Sequence, residues 1–241
     1  IIRRTHRERE NIVLSAGRAA KELGYGLVVT YVDSEEEIPA GIEEMNKRQV
    51  SGVMIDAQKK FLCGRLENTS VYLNETKEFD ERQKVTFYYR LSEAGRLAAE
   101  RLIKEGHQKI ACMVHKEDGS VLEGYRMAVQ SSNLPLQPVW SYEGDSIEDI
   151  ETYGIRQCLS GDVTAVICGS WDIACCVWKL MERTRTVVPD GLSMIVVGDS
   201  EMVKILGDGI TAVKLPAENM SRDAVEYLVD MIQGEKQIEL M

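Results

Sequence analysis

From residue 10 onward the chain alternates between short apolar runs and longer segments whose apolar residues recur every three or four positions. A half-buried helix and a fully buried strand have these two patterns, and their repeated alternation is satisfied by parallel sheets covered with helices on both faces. Residues 10–23 place Ile12, Ala16, Ala19, Ala20 and Leu23 on one helical face, with Gly24 as a stop. The run 27–32 reads as a strand, 35–48 as a charged, solvated helix, 50–56 as a strand, and 71–73 as a short strand inside an irregular stretch, 57–84. Its most charged part, 75–84, reads as a surface loop. Further strands are expected at 85–89, 109–114, 138–142, 163–168, 193–197 and 210–215. Helices are expected at 92–105 with Ser92 as cap, at 122–130, 146–160 and 172–183, and from Pro216 to Gly234. The irregular stretch fits eight even barrel units badly, so two α/β lobes are the expected architecture. In open parallel sheets ligands bind beyond the carboxyl ends of the strands, which makes the residues just after each strand the first candidates for function.

The formal net charge of −10 means that this segment repels a nucleic-acid backbone, and its own binding to DNA at physiological salt is expected to be undetectable. No apolar run approaches the roughly 18 residues of a membrane span, and the polar continuation after Ile1-Ile2 carries no leader pattern. The six cysteines form no C-x-x-C pair and four of them lie in apolar stretches, which suits reduced thiols in the cytoplasm. The three histidines, at 6, 107 and 115, have no metal-site spacing. Phosphate-loop, dinucleotide, zinc-protease and serine-hydrolase motifs are absent, so neither an enzyme nor a cofactor is expected.

Three stretches resemble the effector domain of the LacI/GalR regulators, which shares the fold of type I periplasmic binding proteins. They are Glu93-Ala94-Gly95-Arg96-Leu97-Ala98 running on to Gly106-His107, then Leu122-Glu123-Gly124-Tyr125-Arg126, and the set Thr164–Cys168, Val188-Pro189-Asp190-Gly191-Leu192-Ser193 and Ile210–Lys214 with the helix after Pro216. The resemblance implies two lobes, 1–90 with 213–241 and 91–212, joined at a hinge through Tyr89–Leu91 and Asp208–Val213. It also implies a ligand between them, closure coupled to a DNA-binding headpiece preceding this segment, and a homodimer.

The same resemblance shows where the chain departs from the family. Val121 stands where an Arg is common, Ser170-Trp171 where Asn-Asp is common, Gly198 in place of the first of two Asp, and Ser146 where some members carry Trp. The groups that grip a pyranose are therefore missing, and ordinary hexoses are not the expected ligand. At the first strand–helix junction, Arg4 and His6 read either as a basic pocket for an anionic effector or as a solvated terminus. Tyr89 reads as pocket lining or hinge packing, and Lys116 as facing the cleft or solvent. Trp171 reads as a stacking platform or a packing residue, and Asp172 and Asp199 as ligand acceptors or helix caps, with Ser170 beside them. His107 reads as structural and His115 as a loop residue. A ligand-independent interaction or sensor domain and an extracytoplasmic solute-binding protein remain the rival readings.

Overall fold

The computed structural model describes residues 1–3, 9–56, 69–73, 85–159, 162–198, 200–207 and 209–234. The irregular stretch, its charged part 75–84, Cys63 and Asp208 fall wholly or largely outside them. The chain divides into two compact units, residues 1–89 with 216–241 and residues 90–215. Each is an α/β unit built on parallel strands.

The first unit contains β1 (Ile2–Arg3), α1 (Arg9–Glu22), β2 (Tyr31–Val32), α2 (Ile38–Lys47), β3 (Gly52–Asp56), β4 (Thr69–Leu73), β5 (Thr86–Phe87) and, from the end of the chain, α9 (Ala217–Gln233). β2 pairs with β1, and β4 lies between β3 and β5, all parallel. Main-chain bonds tie the two sets together: the Ile1 nitrogen donates to the Met54 carbonyl at 2.8 Å, and the Asp56 N–H to the Ile1 carbonyl at 3.0 Å.

Sequence and structure differ here in two places. Of the apolar run 27–32 only Tyr31 and Val32 are strand, because the described partner, β1, offers only Ile2 and Arg3. Leu27 and Val28 stay partly exposed instead. The helix expected to be solvated buries Ile38, Ile42 and Met45 against β2 and β3, so its charged residues are one face of an amphipathic helix. α1 and α9 pack through small side chains, with Ala16, Ala19 and Ala20 against Val225 and Val229. Ser221 and Ser15 donate to the Ile12 and Glu218 carbonyls at 2.7 and 2.8 Å and fix that contact.

The second unit holds α3 (Leu91–Lys104), β6 (Ile110–His115), α4 (Gly119–Ser131), β7 (Ser141–Gly144), a helical stretch made of α5 (Ile147–Asp149), a π-type turn (Ile150–Gly154) and α6 (Ile155–Cys158), then β8 (Ala165–Cys168), α7 (Trp171–Thr184), β9 (Ser193–Val197), α8 (Ser200–Leu206) and β10 (Ile210–Val213). Its strand order is β10-β9-β8-β6-β7, all parallel. Every described residue of β6 and β8 is buried, as befits strands covered on both faces. Ser92 is not the cap of α3: the helix starts a residue earlier, with Arg90 at the cap position and Leu91 buried beneath it. Pro138–Trp140 form a 3-10 turn, and the strand begins only at Ser141.

α3 and α4 touch at backbone level. A Cβ added at Gly95 would lie 2.0 Å from the Val121 carbonyl oxygen, and one added at Gly124 would lie 1.8 Å from that of Ser92. These glycines stand in the two stretches that carried the resemblance, so the motif is a packing device: only the absence of side chains lets the helices come this close. Tyr125, fully buried next to Gly124, donates its hydroxyl to the Ile110 carbonyl at 2.8 Å and fastens α4 to β6.

Candidate functional site

In the second unit the chain winds outward from β6 to β7, then returns across β6 to lay down β8, β9 and β10 on the other side. The strand order therefore reverses between β6 and β8, and the carboxyl ends of these two strands mark the reversal point. Open α/β sheets place ligands at such a reversal point. The register aligns Met113 with Cys168 and His115 with Gly144, so His115 is the last residue of β6 and Gly169-Ser170 follow β8 directly alongside it. The Gly169 N–H donates to the Met113 carbonyl at 2.8 Å and holds that turn against the sheet.

A buried polar group bridges this reversal point. His115, 7 % exposed, places Nε2 2.9 Å from Oδ2 of Asp172 in the first turn of α7. Oδ1 of the same carboxylate accepts from the Ser170 hydroxyl and, at 3.0 Å, from the Ile173 N–H. An ionised carboxylate only accepts, so Nε2 of His115 is the protonated ring nitrogen. Burial pushes the Asp172 carboxyl up, but hydrogen bonds from His115 and Ser170, the His115 charge and the Ile173 amide more than offset it and hold the group at about 2. Three bonds fill three of the roughly four lone-pair directions of a carboxylate. The side chain keeps 20 % exposure. The sequence read His115 as a loop residue. It is instead a strand terminus, and extending the apolar run Ile110-Ala111-Cys112-Met113-Val114 by one residue would have found it.

The other candidates are placed as follows. Ser170 is buried at the cap position of α7, with its carbonyl accepting from the Ala174 N–H at 3.1 Å and its hydroxyl turned to Asp172. Asp172 is a first-turn acid of that helix. Trp171, between them, is half-buried and packs against the apolar core under α7. Lys116 follows His115, is mostly exposed and pairs with Asp145, the residue after β7, at 3.1 Å. Tyr89 is the last residue of the first unit and is buried. Arg4, His6 and Asp199 lie outside the described residues.

The departures from the family also acquire places. Val121 is fully buried in α4 and belongs to the core. Ser146 caps α5, its hydroxyl accepting from the Asp149 N–H at 3.1 Å. Gly198 ends β9 with φ 147°, a conformation that disfavours the aspartate the family carries there. His107 binds the Thr164 hydroxyl at 2.9 Å, at the amino end of the sheet and away from the reversal point. Among the described residues, no group of three or more His, Cys, Asp or Glu side chains is arranged to hold a metal ion. Among them, too, no helix is long and apolar enough to cross a membrane.

Parallel, doubly wound units of this topology define the class of type I periplasmic-binding-protein-like folds. The chain belongs to the periplasmic binding protein-like domain family, whose profile matches residues 99–239. Its relatives are LacI-family repressors. It is 26 % identical over 147 residues to the transcriptional repressor PurR of Aliivibrio salmonicida, a match covering 58 % of this chain and 44 % of that protein. With the ribose operon repressor of Escherichia coli K12 it shares 23 % identity over 233 residues, covering 92 % and 70 %. The transcriptional regulator CelR of Thermobifida fusca is 29 % identical over 147 residues, covering 58 % of this chain and 43 % of that protein. The matches thus span less than half of the length of PurR and CelR. Solved structures agree on the fold: a CelR–cellobiose complex superposes with a TM-score of 0.82 at 21 % identity, over 98 % of this chain and 78 % of that one. A LacI-family regulatory protein from Chloroflexus aggregans gives 0.81 at 18 % identity, over 98 % and 91 %.

Proposed function

We propose that this chain is the effector-sensing core of a LacI-type bacterial transcription regulator. A small polar molecule binds beyond the strand ends of the second unit, and the two units close on it. The carrying observation is the His115–Asp172–Ser170 group at the reversal point between β6 and β8, a desolvated acceptor where a parallel sheet receives ligands. The relatives' names attach them to transcriptional repression, and a structural neighbour holds cellobiose. For this chain, Val121, Ser170-Trp171 and Gly198 favour a ligand other than a neutral hexose. Arg4 and His6, which follow β1, favour an anionic group on it. The protein works in the cytoplasm as a homodimer, and its DNA contacts belong to a headpiece preceding this segment, since a charge of −10 repels phosphates.

The test is a thermal-shift screen with hexoses, pentoses, sugar phosphates, nucleobases and carboxylates. A compound present at a hundred times its Kd adds about 2.7 kcal/mol of stability, several degrees in Tm. A sugar phosphate, nucleobase or carboxylate is expected to give such a shift. Comparable stabilisation by glucose or galactose would contradict this reading of the lining. A second reading, a ligand-independent interaction domain, is favoured by one fact: both oxygens of Asp172 already have partners within the protein. No shift with any compound would select it.

A further inference from the structure

Ile205, in α8, is the most exposed large apolar side chain among the described residues, at 73 %. Beside the end of that helix lies a hollow of about 290 Å³, lined by Trp178, Met181, Glu182, Arg185, Thr186 and Val187. Packing makes these parts one face of the second unit. A Cβ added at Gly207 would lie 3.5 Å from the Trp178 ring, and one added at Gly209 would lie 2.9 Å from the Val188 carbonyl oxygen. The end of α8 and the segment 186–188 therefore flank the same half-buried indole. Val187 adds a second outward apolar side chain, 60 % exposed. Among the described residues, neither Glu182 nor Arg185 has an ion-pair partner within the chain.

We infer that this face docks a second copy of the chain about a two-fold axis, with Ile205 of each copy entering the hollow of the other. A two-fold contact brings the same patch of both copies together, so a patch that meets itself must offer a protrusion with a recess to receive it, and charges of both signs. All of these are present. Ile205 stands out, the hollow is apolar at Trp178, Met181 and Val187, and Glu182 and Arg185 bound it with opposite charges. The two-fold sets each Glu182 against the other copy's Arg185, so every contact is made twice. A net charge of −10 opposes the approach of a copy to an acidic surface. The end of α7, with Lys179, Arg183 and Arg185 beside Glu182, is free of that excess. The inference rests on the homodimer reading above and gives it a face; it is independent of effector binding.

Sedimentation velocity on the intact chain between about 1 and 100 µM tests it. The wild type is expected to sediment as a dimer over this range. Ile205 is exposed in the single chain, so Ile205→Arg should leave the fold and the circular dichroism unchanged. It is expected to weaken dimerisation at least about a hundredfold. Glu182→Arg is expected to weaken it about tenfold by setting like charges together, and adding Arg185→Glu to restore it to within about threefold of wild type. A wild-type dimer that Ile205→Arg leaves intact would overturn this face and spare the homodimer reading. A wild type that stays monomeric throughout would overturn both. A double variant no tighter than Glu182→Arg would overturn the pairing of Glu182 with Arg185 across the two-fold.

Discussion

Gly124→Ala is expected to lower the stability of the second unit by about 3 kcal/mol or more, a fall of about 10 °C in Tm. The added methyl would sit 1.8 Å from the Ser92 carbonyl oxygen and 2.8 Å from the Arg96 nitrogen, both backbone atoms that cannot rotate aside. α3 and α4 would have to separate along their whole contact, unseating the buried side chains of Ala94, Ala98, Val121 and Tyr125. Gly95→Ala should cost a similar amount through the Val121 carbonyl. Gly26→Ala is the control: nothing lies within 4 Å of its added Cβ, and its stability should change by less than about 0.5 kcal/mol. Urea melts of the three variants followed by circular dichroism read all of this directly. A Gly124→Ala protein as stable as wild type would mean that the helix pair is not packed as described.

Asp172→Ala is expected to cost about 2–3 kcal/mol, because it leaves the buried His115 ring and the buried Ser170 hydroxyl without their acceptor. The charge itself has a pH signature. The carboxyl is held at about 2 in the folded chain against an ordinary 3.8, so between these values the unfolded chain binds more protons. Its contribution is therefore complete above pH 3.8 and disappears as the pH falls through about 2. Partial exposure reduces it to about 1–2 kcal/mol. Asp172→Asn keeps the shape and one acceptor but cannot ionise. Its stability should differ from that of wild type by a constant amount down to about pH 4 and approach it as the solution is acidified from there to pH 2. Glu22, Glu93 and Asp162 also titrate low beside their basic partners, but they are common to both proteins and cancel in the difference. A gap that stays constant with pH would show that the His115 contact does not hold the charge.

Local pattern was enough for much of the second unit. The runs Ala165–Cys168 and Met194–Val197 are uniformly apolar because both faces of those strands are covered, and the glycine stops at Gly106 and Gly234 take the positive φ that such stops need. The first unit was harder. β1 is two residues long, too short for any periodicity, and of the apolar run 27–32 only Tyr31 and Val32 pair with it. At the site, the residues after β8 were singled out because strand ends are where function collects. Their partner was not, because His115 and Asp172 are 57 residues apart and meet only if β6 lies beside β8. Strand order is a property of the whole sheet, and no spacing along the chain records it. Asp172, read as either a cap or a ligand acceptor, is a first-turn acid of α7 that accepts from the Ile173 N–H, one position past the cap residue Ser170.

Ligand binding at the β6–β8 reversal point is the central proposal, and the two histidines that bracket β6 report on it. Ring resonances of His115 and His107, assigned by single substitution and followed by ¹⁵N NMR, should respond differently when the chain is titrated with the first compound that raises its Tm. A saturable shift is expected at His115, next to Asp172, with His107 at the opposite end of the strand unchanged. A shift at His107 alone, or saturation of the protein with both rings unmoved, would contradict it.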